Sequence, residues 1–541
     1  MHWLELFGLA LVGLSHGAYV WPSEHDFLED IMYLQSGYIH FGFIDGVSPC
    51  SFGTNIEGRQ NAAEWVRTAY HDMATHDAAA GTGGLDASIM FELDRAENPG
   101  SAFNNTFGFL SNFYTSRSGA ADLIALATII ATGACGGPSI PFRPGRIDAT
   151  EAGPPGVPEP QQDIDMHTQM FAKAGFNVSD MISMVACGHT LGGVHGEDFP
   201  EITGNATVGH VSRFEGNNGT SFSKFDNVVV TQYLEDSSEN PLVVGTNDTT
   251  NSDKRVFGAD GNQTMNELAD GSVFQAKCAD IFTRMINTVP ADVTLGDPIE
   301  AIDIKPYITL MALNSEGKID FQGRVRVRVT SSTGRNYNDL GMNLTYIDRN
   351  GVRSSDVITT TRGTFQGGLS AGLFGEAFAW FEFATVLNPE SGISSFDVQL
   401  KTISTGESTT YDNLGHGFPV QDKILYQQSQ SCVNITDNDG TATITVSAAV
   451  RLENVNNTVA LDLVHSIARQ GVFLDALQAE TTLLEQTDQT LGDYAIFSTQ
   501  VPVRMDGSRT TFDLVLGTDE EEVRIMGQNA NLIVGTTCQA L

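Results

Sequence analysis

The hydrophobic pattern changes its period just past the middle of the chain, and this change constrains the fold more than any other feature. In the first half, apolar residues recur at helical spacing between loops rich in Gly and Pro. Helices are expected at residues 59–73, 120–132 and 275–288, and a further helix is expected to be capped by Ser179. The pattern predicts a mainly α region over residues 25–292.

Beyond this region the apolar residues alternate, which is typical of strands. An Arg-Val alternation places Val325, Val327 and Val329 on one face of a sheet. The dipeptide Asn350-Gly351 between two apolar runs is typical of a hairpin turn. The sequence therefore predicts an antiparallel β-rich region over residues 296–541, arranged as one sandwich or as two smaller ones.

The length and the charge of the chain limit its organisation and its partners. A chain of 541 residues is too long for one ordinary core, so two domains are expected. The formal net charge is −37, with 66 acidic against 29 basic residues. This excess of negative charge argues against nucleic acid or an anionic membrane surface as a partner.

The N-terminus indicates export. Residues 6–14 form an apolar run that is too short to cross a bilayer. Small residues at Ser15 and Gly17 suit signal peptidase, so we expect residues 1–17 to be a signal peptide and the protein to be secreted. The alternative is a buried N-terminal helix. No later segment of the sequence reaches transmembrane length, so no membrane span is expected.

Glycosylation sequons and cysteines agree with a secretory route. The sequons, all of the form N-x-S/T, are those of Asn104, Asn177, Asn205, Asn218, Asn247, Asn262, Asn343, Asn434 and Asn456. The cysteines are Cys50, Cys135, Cys187, Cys278, Cys432 and Cys538. Six cysteines fit three disulfides in an oxidising compartment, and the lack of a C-x-x-C pair argues against a zinc ribbon or a thioredoxin-type site.

Two separate segments each place a histidine in a reactive setting. Arg67 and His71 are four residues apart, so they share one face of the expected helix. A fixed cation then stands beside a base that titrates near neutrality. The second segment is C-G-H-T-L-G at residues 187–192, with His189 at its centre. This combination predicts an enzyme.

Other histidines are weighed against a structural role. A single histidine on an apolar helix is more often structural than functional, and this interpretation suits His167 and His210. Zinc binding by His76 or His195 is not favoured, because neither neighbourhood has the H-E-x-x-H spacing.

Over residues 45–290 these segments resemble the plant-type haem peroxidase superfamily, which includes a secreted fungal branch and the ascorbate and cytochrome c peroxidases. The resemblance rests on the order and spacing of R-x-x-Y-H-D, C-G-H-T-L-G and a later F-D-N run. It implies a mainly α, two-lobed haem peroxidase domain at residues 25–292, followed by a β-sandwich-like C-terminal domain. It also implies haem b as cofactor, with hydrogen peroxide and small electron donors as substrates.

The resemblance assigns Arg67 and His71 to the distal side of the haem. His71 would move a proton between the two peroxide oxygens, and Arg67 would stabilise the charge that develops. Tyr70 falls where relatives carry a Phe or Trp near the haem. Asn98 is the expected partner of the His71 imidazole, with Asn104 or Asn105 as alternatives.

The resemblance assigns His189 to the iron from the proximal side. Asp253 matches the buried carboxylate that hydrogen-bonds to this histidine in relatives. His195 matches a histidine near a haem propionate in the ascorbate peroxidase branch. Pro141 lies in a run that resembles the loop below the haem in fungal members.

Calcium is the second cofactor that the resemblance implies. A distal Ca²⁺ site is expected from the ligand positions Asp72, Gly84, Asp86 and Ser88. A weaker proximal cation site is expected from Thr190, Ser221, Lys224 and Asp226. The resemblance further implies a Cys50–Cys135 disulfide. We then expect Cys187–Cys278 and Cys432–Cys538 as the other two pairs.

Departures from the family narrow the expected activity. Arg59 and Ala63 stand where manganese-oxidising relatives carry two glutamates, so manganese oxidation is not expected. Met184 stands where ligninolytic relatives carry an exposed Trp. The sequence thus favours a secreted haem peroxidase that oxidises small phenol-like donors in one-electron steps.

The alternative is a degenerate peroxidase scaffold that acts through its C-terminal domain as a structural or cell-wall and carbohydrate-binding protein. A polysaccharide or cell-wall surface is the partner considered for that domain. Trp380 and its neighbouring phenylalanines alternate poorly for a sugar-binding platform, so core packing is expected for them.

Overall fold

The structure is a computed structural model and describes residues 19–54, 58–216, 223–435, 441–504, 510–518 and 522–539. The expected signal peptide and the Asn218 sequon lie outside these residues. Helices fill the first part of the chain and strands the second. The predicted multidomain class, mainly α and then β-sandwich-like, is confirmed.

Within the described residues, the α-helices all precede residue 290. They are α1 (Asp26–Tyr33), α2 (Asn61–Met73), α3 (Ala102–Leu110), α4 (Ala120–Ala134), α5 (Ile164–Lys173), α6 (Val178–Gly188), α7 (Pro200–Thr203), α8 (Val228–Leu234), α9 (Pro241–Val244), α10 (Ser252–Phe257), α11 (Gln263–Leu268) and α12 (Gly271–Ile286).

Most of the strands follow residue 300. They are β1 (Ser36–Gly37), β2 (Gly193–His195), β3 (Val211–Arg213), β4 (Ile304–Leu313), β5 (Ile319–Arg328), β6 (Leu340–Ile347), β7 (Arg353–Thr359), β8 (Thr361–Arg362), β9 (Leu369–Ala371), β10 (Ala377–Leu387), β11 (Ser395–Thr402), β12 (Ser408–Tyr411), β13 (Phe418–Pro419), β14 (Ile424–Tyr426), β15 (Cys432–Ile435), β16 (Thr441–Arg451), β17 (Val459–Ile467), β18 (Ala476–Leu483), β19 (Glu485–Leu491), β20 (Tyr494–Arg504), β21 (Thr511–Leu516) and β22 (Val523–Asn529).

Helix α6 begins at a capping box. The Asn177 side chain accepts a hydrogen bond from the Asp180 amide, and the Asp180 side chain accepts one from the Asn177 amide. The expectation that Ser179 caps this helix is therefore wrong, because Asn177, two residues earlier, is the cap and Ser179 already lies within the helix. The helix ends at Gly188, which leaves His189 as its C-terminal flanking residue.

The helical core forms around α2 and α4. Helix α4 is apolar on all sides and is buried along nearly its whole length, which suits a central helix. Disulfides Cys50–Cys135 and Cys187–Cys278 tie a preceding loop to the end of α4, and α6 to α12. Both pairs are those expected from the sequence.

The β-rich region consists of two sandwiches. In the first, the sheet β1-β9-β10-β5-β4, with β8 on β10, shares a core with the sheet β12-β11-β6-β7, with β13 on β11. Val325 and Val327 face this core, and Asn350-Gly351 lies in the turn between β6 and β7. Trp380 is 1% exposed, as the core interpretation predicts.

The second sandwich pairs two further antiparallel sheets. Their strand orders are β14-β16-β20-β19, with β15 on β16, and β18-β17-β21-β22. Alternate residues of β16 and β17, such as Ile444 and Leu461, meet in its core. The disulfide Cys432–Cys538, again an expected pair, ties β15 to the C-terminal segment.

An N-terminal segment joins the helical region to the first sandwich. Strand β1 pairs with β9, and α1 covers the face of β5 opposite the sandwich core. Arg326 and Lys305 are buried there and form ion pairs with Glu29 and Asp30 of α1. In the described part of the chain, no helix has both the length and the apolar character needed to cross a membrane.

Candidate active site

A cavity of about 720 Å³ lies in the helical region. Helices α2, α5, α6, α10 and α12 contribute to its walls, and His71 and His189 both line it. This volume is in the range of pockets that enclose a small organic ligand. The two segments that the sequence analysis singled out therefore meet in one cavity.

Helix α2 supplies the first wall. Its His71 is buried, and Nδ1 lies 2.8 Å from Oδ1 of Asn98. The Asn98 amide group in turn donates to the Glu92 carbonyl at 3.1 Å, which fixes its orientation. Because the Asn98 oxygen can only accept, Nδ1 of His71 carries the proton and Nε2 keeps a lone pair.

The partner of His71 is thus Asn98, and not either of the two alternatives. Asn104 is exposed, and Asn105 donates instead to Oε2 of Glu64 at 3.3 Å.

The electrostatics of this wall favour a neutral imidazole beside a fixed cation. Burial and the neighbouring Arg67 guanidinium lower the pKa of His71 to about 3. Burial also lowers the pKa of Arg67 to about 10, so the guanidinium remains charged at neutral pH. Arg67 lies 4.6 Å above the Phe103 ring and donates to the Pro99 carbonyl at 3.1 Å. These contacts hold its charge at the cavity.

The end of helix α6 supplies the second imidazole, and helix α10 supplies its partner Asp253. Nδ1 of His189 lies 2.8 Å from Oδ2 of Asp253, which also accepts from the Asn240 amide at 2.7 Å. The Asp253 side chain is 2% exposed, whereas that of His189 is 31% exposed and lines the cavity. Phe214 stacks on the His189 ring at 4.1 Å. The carboxylate therefore fixes one ring nitrogen and leaves Nε2 for a ligand.

These residues fit a haem. Two imidazoles whose Nδ1 atoms are occupied by a carboxamide and a carboxylate line the same cavity, and each retains Nε2. Apolar side chains such as Val66, Phe171 and Leu191 form much of the remaining wall. His189, with Asp253 hydrogen-bonded to it, would hold the iron, and His71 would supply a base within the same cavity.

Of three other expected haem neighbours, Tyr70 and His195 line the cavity and Pro141 does not. Tyr70 lines the cavity, and its ring meets those of His71 and Phe171 at 5.9 and 6.0 Å. His195, on β2, also lines the cavity. Pro141 is exposed and is not among the described residues of the cavity wall. The later loop of residues 158–160 reaches the cavity instead, and its two prolines form part of the wall.

The expected distal calcium ligands form a compact buried loop. The Asp72 carboxylate accepts from the amides of Ala87 and Ile89 at 2.7 and 2.9 Å. Burial and the neighbouring Asp86 carboxylate raise the pKa of Asp72. The Ser88 hydroxyl is buried and has no hydrogen-bond partner among the described residues. Buried carboxylates beside an unsatisfied hydroxyl fit a hard cation such as Ca²⁺.

The fourth expected ligand, Gly84, lies on the same loop with φ of +118°. A Cβ at this position would approach the Thr288 carbonyl to 2.6 Å, so only glycine fits there. Among the described residues there is no cluster of three or more His, Cys, Asp or Glu side chains that could hold a metal ion. A calcium site here would therefore depend on carbonyl and hydroxyl oxygens as well.

The expected proximal cation ligands come together only in part. The Thr190 hydroxyl contacts the Asp226 carbonyl at 2.5 Å and Oε1 of Glu215 at 3.1 Å. Lys224 is exposed, and Ser221 lies outside the described residues. Glu215, which is 3% exposed, is a buried carboxylate at this position that was not among the expected cation ligands.

Two further residues line the cavity beyond those expected there from the sequence. Glu64 forms a buried ion pair with Arg59 at 2.6 Å, and both line the cavity. His167, which we expected to be structural, is 2% exposed, and its Nε2 bonds the Glu159 carbonyl. It nevertheless lines the cavity as well. The one available signal was that His167 lies on the apolar face of a helix that precedes His189.

Comparison with known proteins identifies a family match within the helical region. Residues 53–293 match the family model described as Peroxidase. A WSC domain-containing protein of Arthroderma benhamiae is 42% identical over 401 residues, which is 72% of this chain and 54% of the relative. That alignment is longer than the family match, so it extends outside the helical domain.

Two named peroxidases match shorter stretches. L-ascorbate peroxidase 5, peroxisomal, of Arabidopsis thaliana is 37% identical over 144 residues, 26% of this chain and 51% of the relative. The mitochondrial cytochrome c peroxidase of Candida albicans is 31% identical over 196 residues, 34% of this chain and 49% of the relative. The chain thus spans about half the length of these relatives. Residues 53–293 therefore form a domain of the Peroxidase family, and it is similar to the ascorbate and cytochrome c peroxidases.

Proposed function

We propose that this protein is a haem peroxidase that reduces hydrogen peroxide and oxidises small organic donors. The observation that carries the proposal is the pair of imidazoles in one cavity. One of them is held by a buried carboxylate, and the other is held by a carboxamide beside a fixed cation. Bound haem would supply the redox chemistry, by giving two electrons to peroxide and regaining them one at a time from two donor molecules.

The proximal residues would hold and tune the cofactor. Asp253 accepts a hydrogen bond from Nδ1 of His189, which would make Nε2 a stronger electron donor to iron. Asn240 donates to the same carboxylate oxygen and so keeps Asp253 in place.

The distal residues would handle the peroxide protons. Nε2 of His71 would take the proton from one peroxide oxygen and deliver it to the other, which leaves as water. Its low pKa suits this role, because the imidazole stays unprotonated in mildly acid solution. Arg67 would stabilise the negative charge that grows on the departing oxygen as the O–O bond breaks.

The donor is proposed to be a small phenol-like molecule. Arg59 is ion-paired to Glu64 at the position where a manganese ligand would be needed, and Ala63 offers only a methyl group. Met184 is 3% exposed and lines the cavity, so it offers no surface aromatic for electron transfer. These residues support oxidation at the cavity and not at a manganese or surface-Trp site.

Secretion and calcium binding belong to the same proposal. The apolar N-terminal run, the sequons and the three disulfides support export. The buried loop of Asp72, Asp86 and Ser88 supports one Ca²⁺ ion. A polysaccharide partner for the β-rich region stays a prediction, which an association assay of the full protein with cell-wall polymer would test.

The test is the peroxide-dependent oxidation of a simple phenol by haem-loaded protein. We expect His71→Ala to lower the rate of reaction with peroxide by at least about 100-fold, because the general base is lost. His210→Ala, which removes a histidine outside the cavity wall, is the matched control and should retain full activity. Equal turnover by wild type and His71→Ala would overturn the proposal and favour the degenerate-scaffold alternative.

A further inference from the structure

The loop between β17 and β18 leaves the second sandwich and packs into the helical domain. Its Leu474 is fully buried and belongs to the apolar core of that domain, and not to either sandwich core. Val472 and Leu477 pack against the same core. A residue more than 180 positions beyond the last helix thus completes the core of the helical domain.

Arg469 fixes the shape of this loop and extends its contact. Its Nε and Nη2 donate to the Leu474 carbonyl at 3.1 and 2.9 Å, which closes the loop on itself. Nη2 also lies 3.6 Å from Sδ of Met90, and the guanidinium lies 5.0 Å from the centre of the Phe91 ring. A cation over an aromatic face is attracted to it, more so when partly desolvated.

The residues that Arg469 touches belong to the loop that holds Asp72. Met90 and Phe91 end the short 3₁₀ helix that starts at Ser88, and the Ile89 amide within it donates to Asp72. Asp72 directly follows His71 on α2. A shift of this short helix would therefore displace Asp72, which is the residue next to His71.

A second contact of the same loop reaches the other support of the distal side. The Phe473 ring lies 3.4 Å from where a Cβ of Gly108 on α3 would stand. The same helix carries Phe103, whose ring packs 5.0 Å from the His71 imidazole and under Arg67. The loop at residues 468–475 therefore contacts both elements against which the distal residues rest.

We propose that residues 468–475 are a clamp through which the second sandwich positions the distal side of the active site. Arg469 and Leu474 are positioning residues in this clamp, and they act through Met90, Ile89 and Asp72 on His71. The catalytic part of this inference rests on the proposed peroxidase function. The mechanical part, the ordering of residues 85–92 by the clamp, does not depend on it.

The experiment measures amide hydrogen exchange and peroxide reaction in the full chain. Leu474→Ala and Arg469→Ala should speed exchange of residues 85–92 by about tenfold or more, because the local opening becomes easier. The rate of reaction with peroxide should fall, while KM for the phenol donor stays unchanged. Arg469→Lys, which keeps the cation over Phe91, should recover part of both losses.

Arg524→Ala is the matched control, because it removes an arginine that is ion-paired within the same sandwich to Asp462 and Asp513. It should alter neither exchange of residues 85–92 nor the peroxide rate.

Wild-type exchange at residues 85–92 in both clamp variants would overturn the mechanical claim. Faster exchange with an unchanged peroxide rate would overturn the positioning claim. Should Leu474→Ala fail to fold, the partly exposed Arg469 supplies both measurements. If even wild-type protein is inactive with peroxide, the proposed function fails, and the exchange data still decide the clamp.

Discussion

A single carboxamide determines which nitrogen of His71 can act as a base. The Asn98 oxygen accepts from Nδ1, and the Asn98 amide is itself anchored to the Glu92 carbonyl. This chain of two hydrogen bonds fixes both the tautomer and the ring orientation of His71. The distal base is therefore prepared before any substrate enters.

Asn98→Ala should slow the reaction with peroxide by about 10- to 100-fold while haem content is unchanged, because the base loses its orientation. Stopped-flow measurement of the reaction with peroxide tests this. The control is Asn105→Ala, which removes the amide that contacts Glu64. The assignment would be wrong if Asn105→Ala impaired the reaction more than Asn98→Ala.

Glu64 makes the stability of the helical domain depend on pH. Burial raises the pKa of Glu64 to about 7, although the ion pair with Arg59 opposes the rise. Between the unfolded pKa of about 4.5 and pH 7, the folded protein holds a proton that the unfolded chain has released. This contribution to stability is complete below pH 4.5 and is lost as pH rises through 7.

Glu64→Gln should reduce the loss of stability between pH 4.5 and 7, because the Gln amide has no proton to lose in this range. Melting temperatures at intervals between pH 4.5 and 8 would show it, with Glu316→Gln as an exposed control. An unchanged slope in Glu64→Gln would contradict the account.

Residues within family motifs could be predicted individually, but the residues that pack around them in space could not. His71, Asn98, His189 and Asp253 were predicted from motif and order. The structure joins them in two hydrogen-bonded pairs, and both histidines line one cavity. Glu64 was not predicted, because only folding sets it beside Arg59 in the cavity wall.

At the scale of elements, local capping decides where α6 starts and hence where His189 lies. Ser179 was predicted to cap this helix, and Asn177 takes that place in the structure. Asn177 prevails because Asp180, three residues later, completes a reciprocal capping box. The helix then ends at Gly188, with His189 next along the chain at the cavity.

The loop of Asp72 and Asp86 should couple calcium to the stability of α2. Adding Ca²⁺ after chelation should raise the melting temperature of the wild-type protein, by an amount that grows with the logarithm of free Ca²⁺. Asp86→Asn should reduce this shift, and Asp94→Asn, which changes an exposed carboxylate, should preserve it. An equal calcium shift in all three proteins would place the cation elsewhere.

At the scale of the whole molecule, a buried charge cluster connects the helical region to the first sandwich. Nζ of Lys305 lies 2.9 Å from Glu29 and 2.8 Å from Asp30, and Arg326 contacts the same two carboxylates. All four side chains are almost fully buried. Each charge is tolerated only because its partners are present.

Lys305→Met should destabilise the protein by about 3 kcal/mol, because it leaves a buried carboxylate without full compensation. Thermal unfolding followed by calorimetry measures this. Lys318→Met, which removes an exposed ion pair with Glu316, should cost less than about 1 kcal/mol. Similar losses in the two variants would contradict the claim that the buried carboxylates need Lys305 for compensation.

The division into helical and β-rich regions could be read from the change in hydrophobic period, but the contacts between the regions could not. Arg326 reads as an outward residue of an alternating strand, and it is buried only because α1 covers that face. Leu474 gives no sequence signal that it belongs to another domain's core. Such long-range contacts depend on how the finished domains dock, which periodicity does not encode.

The central claim is that His189 holds the iron of one haem in the cavity it shares with His71. Titration of haem-free protein with haem, followed by absorption spectroscopy and a pyridine haemochrome assay, tests it most directly. We predict one haem per chain, a Soret band that shifts when peroxide is added, and strongly weakened binding in His189→Ala. Wild-type protein that takes up no haem, or His189→Ala protein with the same stoichiometry and spectrum as wild type, would contradict the claim.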